Sequence, residues 1–163
     1  MFTLDDHRFM LEAIELAHQA ALAGEVPVGA LLVHENEVIG RGSNCPISGC
    51  DPSAHAEIVA LREGALAIKN YRLINSTLYI TLEPCLMCVG AIVHARVKRV
   101  VFGAYDPKAG AVESAFSFSN SDKLNHKPLY LGGLMATQCA DLLKDFFLKR
   151  REVRKSNRNK KDT

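Results

Sequence analysis

No stretch of this 163-residue sequence approaches the roughly 18 consecutive apolar residues that a membrane-spanning helix requires. The first ten residues, MFTLDDHRFM, hold two aspartates and no apolar core, which does not fit a secretory leader. Cysteine is scarce and odd in number, five in all, so a framework of paired disulfides is not expected. Two of the five stand as Cys85-x-x-Cys88, a spacing that in a reducing compartment points to metal or redox use. No internal repeat and no low-complexity block interrupts the body of the chain. The expectation is a soluble, cytoplasmic protein without a membrane partner.

What is present is an ordinary globular balance, 48% hydrophobic and 23% charged, in a length that suits one domain with a full core. The net charge of +2 is unevenly spread. Residues 149–163 hold eight Lys or Arg against Glu152 and Asp162, so this stretch carries +6 and the rest −4. The expected organisation is a domain over 1–150 and a basic tail over 151–163. A basic tail on a mildly acidic body suits a polyanionic partner, although a tail alone reads equally as a solvated end.

Phe9, Ala13, Leu16, Ala17 and Ala20 recur at helical spacing within 5–23, and Gly24 supplies a stop. VPVGALLVHENEVIGRG reads as two strands around a tight turn at Glu35-Asn36. A polar loop, SNCPISGCDPS, leads into a helix from near Ser53 to about Lys69. TLYITL is a short buried strand, PCLMCVGAIVHA a second helix with Pro84 in its first turn, and RVVFGA a further strand. Residues 105–128 are Ser-rich and irregular. TQCADLLKDFFLKRREVRK is a closing helix that runs into the tail. Strands alternating with helices predict an α/β layered sandwich.

Two short motifs carry chemistry. His55 and Glu57 fall in the expected first turn of one helix, and Cys85 and Cys88, at i and i+3, in the first turn of the next. Mid-helix, residues two apart point about 200° away from each other. In a first turn the Cα–Cβ bonds lean toward the N-terminus, so both side chains can converge beyond the helix end. If zinc stands there, His55, Cys85 and Cys88 hold it, one ion per chain, and the fourth position is left to water, the mark of a catalytic site. Glu57 then lies beside that water without binding the metal, as a proton carrier should. Taken alone, Cys-x-x-Cys is also a redox pair, two plain thiols or, with Cys45 and Cys50, a zinc ribbon. Taken together, with Pro84 before the first cysteine, the motifs form H-x-E…P-C-x-x-C, the signature of zinc nucleobase deaminases.

At these residues the sequence resembles the bacterial tRNA-specific adenosine deaminases of the cytidine deaminase-like superfamily. The similarity runs from about Met10 to Arg151 and is densest in EVPVGALLV, DPSAHAEIVALR, NYRLINSTLYITLEPCLMC and RVVFGAYDPKAGA. The resemblance implies a three-layer α/β/α sandwich with a five-stranded mixed sheet, a homodimer, and conversion of the wobble adenosine of a tRNA anticodon to inosine with release of ammonia. It implies metal binding by His55, Cys85 and Cys88, proton transfer by Glu57, a hydrogen bond from Asn44 to the flipped base, and a place for Asp106 near the RNA backbone. Tyr105 stands where the resemblance has a basic residue, and VESAFSFSNSDKLNHKPLYL matches only loosely. Phe147, Arg150 and Arg151 in DFFLKRR set an aromatic among cations, suited to an anticodon stem-loop, although at helical spacing one of Phe146 and Phe147 reads as core. His7, His18 and His34 read as surface or packing residues. Two other readings stay open: a deaminase of a free nucleobase, nucleoside or nucleotide of guanine or cytosine type, and a non-catalytic zinc-stabilised nucleic-acid-binding module.

Overall fold

The computed structural model describes residues 1–159. Helix α1 (Leu4–Leu22) opens with a reciprocal cap: the Asp6 amide donates to the Thr3 hydroxyl at 3.1 Å, and the Thr3 amide to the Asp6 carboxylate at 2.8 Å. It buries Phe9, Met10, Ala13, Ala17 and Ala20 and ends at Gly24, φ +80°. Strands β1 (Gly29–His34) and β2 (Glu37–Ser43) form the expected hairpin. Its turn residues Glu35 and Asn36 both hold positive φ, 49° and 64°, as a two-residue turn of this hand requires. Then follow α2 (Pro46–Gly49), α3 (Ala56–Ile68), β3 (Ser76–Leu82), α4 (Leu86–His94), β4 (Arg99–Ala104), β5 (Leu129–Gly132) and α5 (Ala136–Asn159).

The sheet order is β2-β1-β3-β4-β5, with β1 antiparallel to both neighbours and β3, β4 and β5 mutually parallel. Four strands therefore run one way, and the carboxyl ends of β2, β3 and β4 gather at one end of the sheet. Side chains alternate between its faces. Leu31, Val33, Tyr79 and Val101 pack toward α1 and the start of α5, while Leu32, Leu78, Ile80, Val100 and Phe102 pack with α3 and α4. The result is the three-layer α/β/α sandwich with a five-stranded mixed sheet. β5, short and partly exposed on the edge, escaped the reading of periodicity.

Three local boundaries differ from expectation. The helix expected from Ser53 begins at Ala56, with His55 as an extended cap at ψ 153°. The next helix begins at Leu86, with Cys85 as an extended cap at ψ 174°, so Pro84 precedes the cap instead of opening the first turn. Within the polar loop, one turn of helix, α2, forms because Glu25 accepts the amides of Ser48 and Ile47 at 2.7 and 3.3 Å and so caps its start. Helix α3 lies so close on β2 that a Cβ at Gly42 would stand 2.0 Å from the Ala56 carbonyl oxygen, which fixes the level at which α3 begins.

On the far face, buried Asp6 takes two hydrogen bonds from the Arg99 guanidinium at 2.7 and 2.9 Å and one from the Tyr79 hydroxyl at 2.7 Å. The Arg99 hydrogen bonds hold the Asp6 carboxyl well below its ordinary 3.8. As pH falls, the unfolded chain takes up a proton here before the native chain does, so this contribution is full at neutral pH and is lost on acidification below about pH 5. Asp6→Asn should lower the melting temperature at pH 7, by the equivalent of about 3 kcal/mol for one partner of a buried pair, and should flatten the acid limb. Melting curves from pH 3 to 7 check this; parallel acid limbs for the two proteins would refute the assignment.

Candidate metal centre and substrate groove

The loop after β2 and the turn after β3 meet at the carboxyl end of the sheet because their strands run the same way. Each delivers a helix N-terminus there. The two cap residues have extended backbones, so their side chains turn back across the helix ends instead of joining the helical array. His55 Nδ1 lies 3.6 Å from both Cys85 Sγ and Cys88 Sγ, and the two sulfurs are 3.7 Å apart. Tetrahedral zinc with ordinary bond lengths demands edges of about 3.8 Å between sulfurs and about 3.6 Å from sulfur to nitrogen. The three donors, from one imidazole and two thiols, thus fit such an ion without rearrangement.

The protons agree with this reading. A hydrogen bond from Cys88 and then one from His55 draw the Cys85 thiol down to about 4. The same bond from the other side, with burial, pushes Cys88 up. His55 is raised, first by its bond to Cys85. One thiolate and one thiol thus share a proton that a divalent cation displaces. Glu57, two residues after the cap, is 4% exposed, and burial lifts its carboxyl to about 7. A cation in the triad would draw it down again, so that value belongs to the residues alone.

Asn44 is the first residue of the loop after β2, and its side chain reaches the start of α3. Its Oδ1 accepts the Ala56 amide at 2.9 Å, taking over one of the free donors at the start of α3. The amide NH₂ makes no hydrogen bond among the described residues.

A groove of about 860 Å³ runs between the segment after β4 and helix α5, lined by Asp106, Lys108, Phe147, Arg150, Arg151 and Arg154 among others. It brings Asp106 together with Phe147, Arg150 and Arg151, some forty residues downstream, the four residues expected to contact RNA. Phe147 is 44% exposed, while Phe146 is half-buried beneath the Arg150 guanidinium, 5.7 Å from its ring centre. Tyr105 also faces the groove and stacks edge-on against Phe102. Asn44 and the metal triad are not among the groove's walls. His7 and His18 are exposed and His34 partly so.

Two residues escaped the sequence reading. Glu25 and Glu83 are buried carboxylates that accept backbone amides of the loops bounding the site. The only signal was a lone acid within an apolar run, in GEVPVGA and ITLEPC.

A family model describing the cytidine and deoxycytidylate deaminase zinc-binding region matches residues 3–104. The tRNA-specific adenosine deaminase of Haemophilus influenzae is 54% identical over 151 residues, 92% of this chain and 87% of that protein. A solved structure from a study of A-to-I editing by tRNA:A34 deaminases at the wobble position of transfer RNA superposes with a TM-score of 0.81 at 42% identity, over 83% of this chain and 99% of that one. A guanine deaminase from Bacillus subtilis reaches 31% identity and a TM-score of 0.59, over 88% and 92% of the two chains.

Proposed function

The chain belongs to the cytidine and deoxycytidylate deaminase family, and within it to the tRNA-specific adenosine deaminases; from that premise we propose that it hydrolyses the wobble adenosine of a tRNA anticodon to inosine and ammonia. The observation that carries the proposal is the buried acid Glu57 beside three donors at zinc spacing. One zinc ion per chain, held by His55, Cys85 and Cys88, would supply water acidified to a pKa of about 7. With that ion bound, Glu57 would accept one proton as the water oxygen bonds to carbon 6 and give it to N1, then carry the remaining hydroxyl proton to the amino group, so that the C6–N bond breaks and ammonia leaves. The Asn44 amide NH₂ is suited to a flipped base, because its oxygen is already committed to the helix. A purely structural zinc site has no use for a carboxylate beside an open position.

The groove supplies the grip. Phe147 offers a stacking face for a splayed base, and Arg150, Arg151 and Arg154 offer charge to the phosphates of an anticodon stem-loop. Leu86 and Met87 leave much of their side chains exposed at the start of α4, a face suited to a second copy in a homodimer. The chain has no described helix long and apolar enough to cross a membrane, and a tRNA substrate fits a cytoplasmic location. The division into a catalytic domain over 1–150 and a basic tail over 151–163 belongs to the same proposal, with α5 running through the boundary.

Offering tRNA and, separately, adenosine, cytidine and guanine, then assaying inosine and ammonia, tests the substrate; release of ammonia from free guanine but not from tRNA would overturn it. Truncation after Arg151 removes Arg154, Lys155 and Arg158, together with Lys160 and Lys161, which lie outside the described residues. If two of these touch phosphates, the slope of log K against log salt should shrink by about two units, slightly less per contact, with zinc content unchanged. An unchanged slope in a salt series of tRNA affinity would return the tail to the status of a solvated end.

A further inference from the structure

We propose that Glu83 is a positioning residue for the substrate groove, acting through the segment 106–114 and not through the metal; the link to catalysis rests on the tRNA reading above. Glu83 is 2% exposed and directly follows β3, two residues before Cys85. Its carboxylate collects five donors from one irregular segment. Oε2 accepts the Asp106 amide at 3.0 Å and the Ser114 hydroxyl. Oε1 accepts the amides of Val112, Glu113 and Ser114 at 3.2, 2.9 and 3.0 Å. This segment lies outside every helix and strand, so one side chain stands in for the partners a ladder would provide. The approach is close: a Cβ on Gly110 would lie 2.3 Å from Glu83 Oε2.

The direction of the effect follows from what the segment carries. Asp106 and Lys108 form one wall of the groove, opposite Phe147 and Arg150. The Asp106 carboxylate is turned inward on the amides of Lys108 and Ala109, at 3.0 and 3.2 Å, so the whole turn moves as a unit. Glu83 sets where that unit stands by holding its first amide. Cys85 has a support of its own, since its carbonyl accepts the Val89 amide inside α4; its bridge with Gly110 is the one link between the triad and the segment, so the zinc content of the variant is the control. None of the five donors belongs to the metal triad.

Glu83→Gln replaces one acceptor oxygen with an NH₂ that faces amides. The variant should keep the wild-type zinc content, raise KM for an anticodon stem-loop about tenfold or more, and change kcat by less than about threefold, the pattern of lost uniform binding. Amide hydrogen exchange should speed up at 106 and 112–114 and stay as in the wild type over 86–94. Should Glu83→Gln fail to fold, Ser114→Ala is the second variant, because it removes one of the five donors and leaves the bridge between Gly110 and Cys85 in place. Zinc loss in proportion to activity, a fall in kcat at constant KM, or faster exchange throughout α4 would each overturn the proposal. If the wild-type protein makes no inosine from tRNA, the substrate reading fails, and the exchange pattern alone decides whether Glu83 holds the segment.

Discussion

Glu57→Gln should leave the zinc content and melting temperature near those of the wild type and lower kcat on tRNA by about 10²–10⁴-fold, the range that positioned acid–base help contributes. The expectation comes from placement. Glu57 sits one residue inside α3, beyond the cap, so it reaches the triad from the side and adds no fourth donor to it. Glu57 is buried beside the triad, where a carboxylate can hand a proton on without exchanging it with bulk water. The amide keeps the volume and loses only the proton. Glu57→Ala, which also leaves a void, should share the kinetic defect and melt lower. Single-turnover rates with metal analysis on the same samples settle the point. Zinc falling in step with activity would make Glu57 a ligand or a structural group.

Cys88→Ala should lose most of the bound zinc and all measurable activity. Cys88 is fully buried and supplies one of three donors. The substitution therefore removes one ligand of the three. Groups that merely orient a ligand cost about 10–100-fold in metal affinity when lost, and a ligand itself should cost more. A readout independent of turnover is available, because a bound ion stabilises the native state by about 2.7 kcal/mol at a hundredfold excess over its dissociation constant. A chelator should lower the melting temperature of the wild type and leave that of Cys88→Ala unmoved. Full zinc in the variant would remove Cys88 from the ligand set.

Much of this site was legible in the chain because its logic is local. The donors sit at helix starts, the hairpin turn is two residues, and the stripe of α1 repeats at helical spacing. The misplaced boundaries at His55 and Cys85 have one cause: a cap and a first-turn residue look alike in sequence and differ only in ψ. β5 was missed because a four-residue, half-exposed edge strand shows no alternation to detect. Glu25 and Glu83 were missed for a deeper reason. Their partners are backbone amides more than twenty positions away, and a backbone amide carries no residue name for a motif to contain. The groove that unites Asp106 with Phe147 likewise depends on α5 folding back along β4, which only the tertiary arrangement shows.

The sheet pairings also set an order in time. His55 follows a hairpin closed within a few residues, where Val33 faces Val38, whereas Cys85 and Cys88 follow a strand whose Ile80 pairs with Ala30 across much of the chain. Short closures come early and distant ones late. A growing chain therefore presents His55 on a nearly finished hairpin while its two sulfur partners are still to be made, and the triad meets only once β3 has settled beside β1. Whatever the triad then grips bears on the strand pairing that is most distant in sequence among the described residues. Contacts completed after the folding barrier slow unfolding and leave folding speed alone. An ion bound there would be expected to slow unfolding more than it speeds folding.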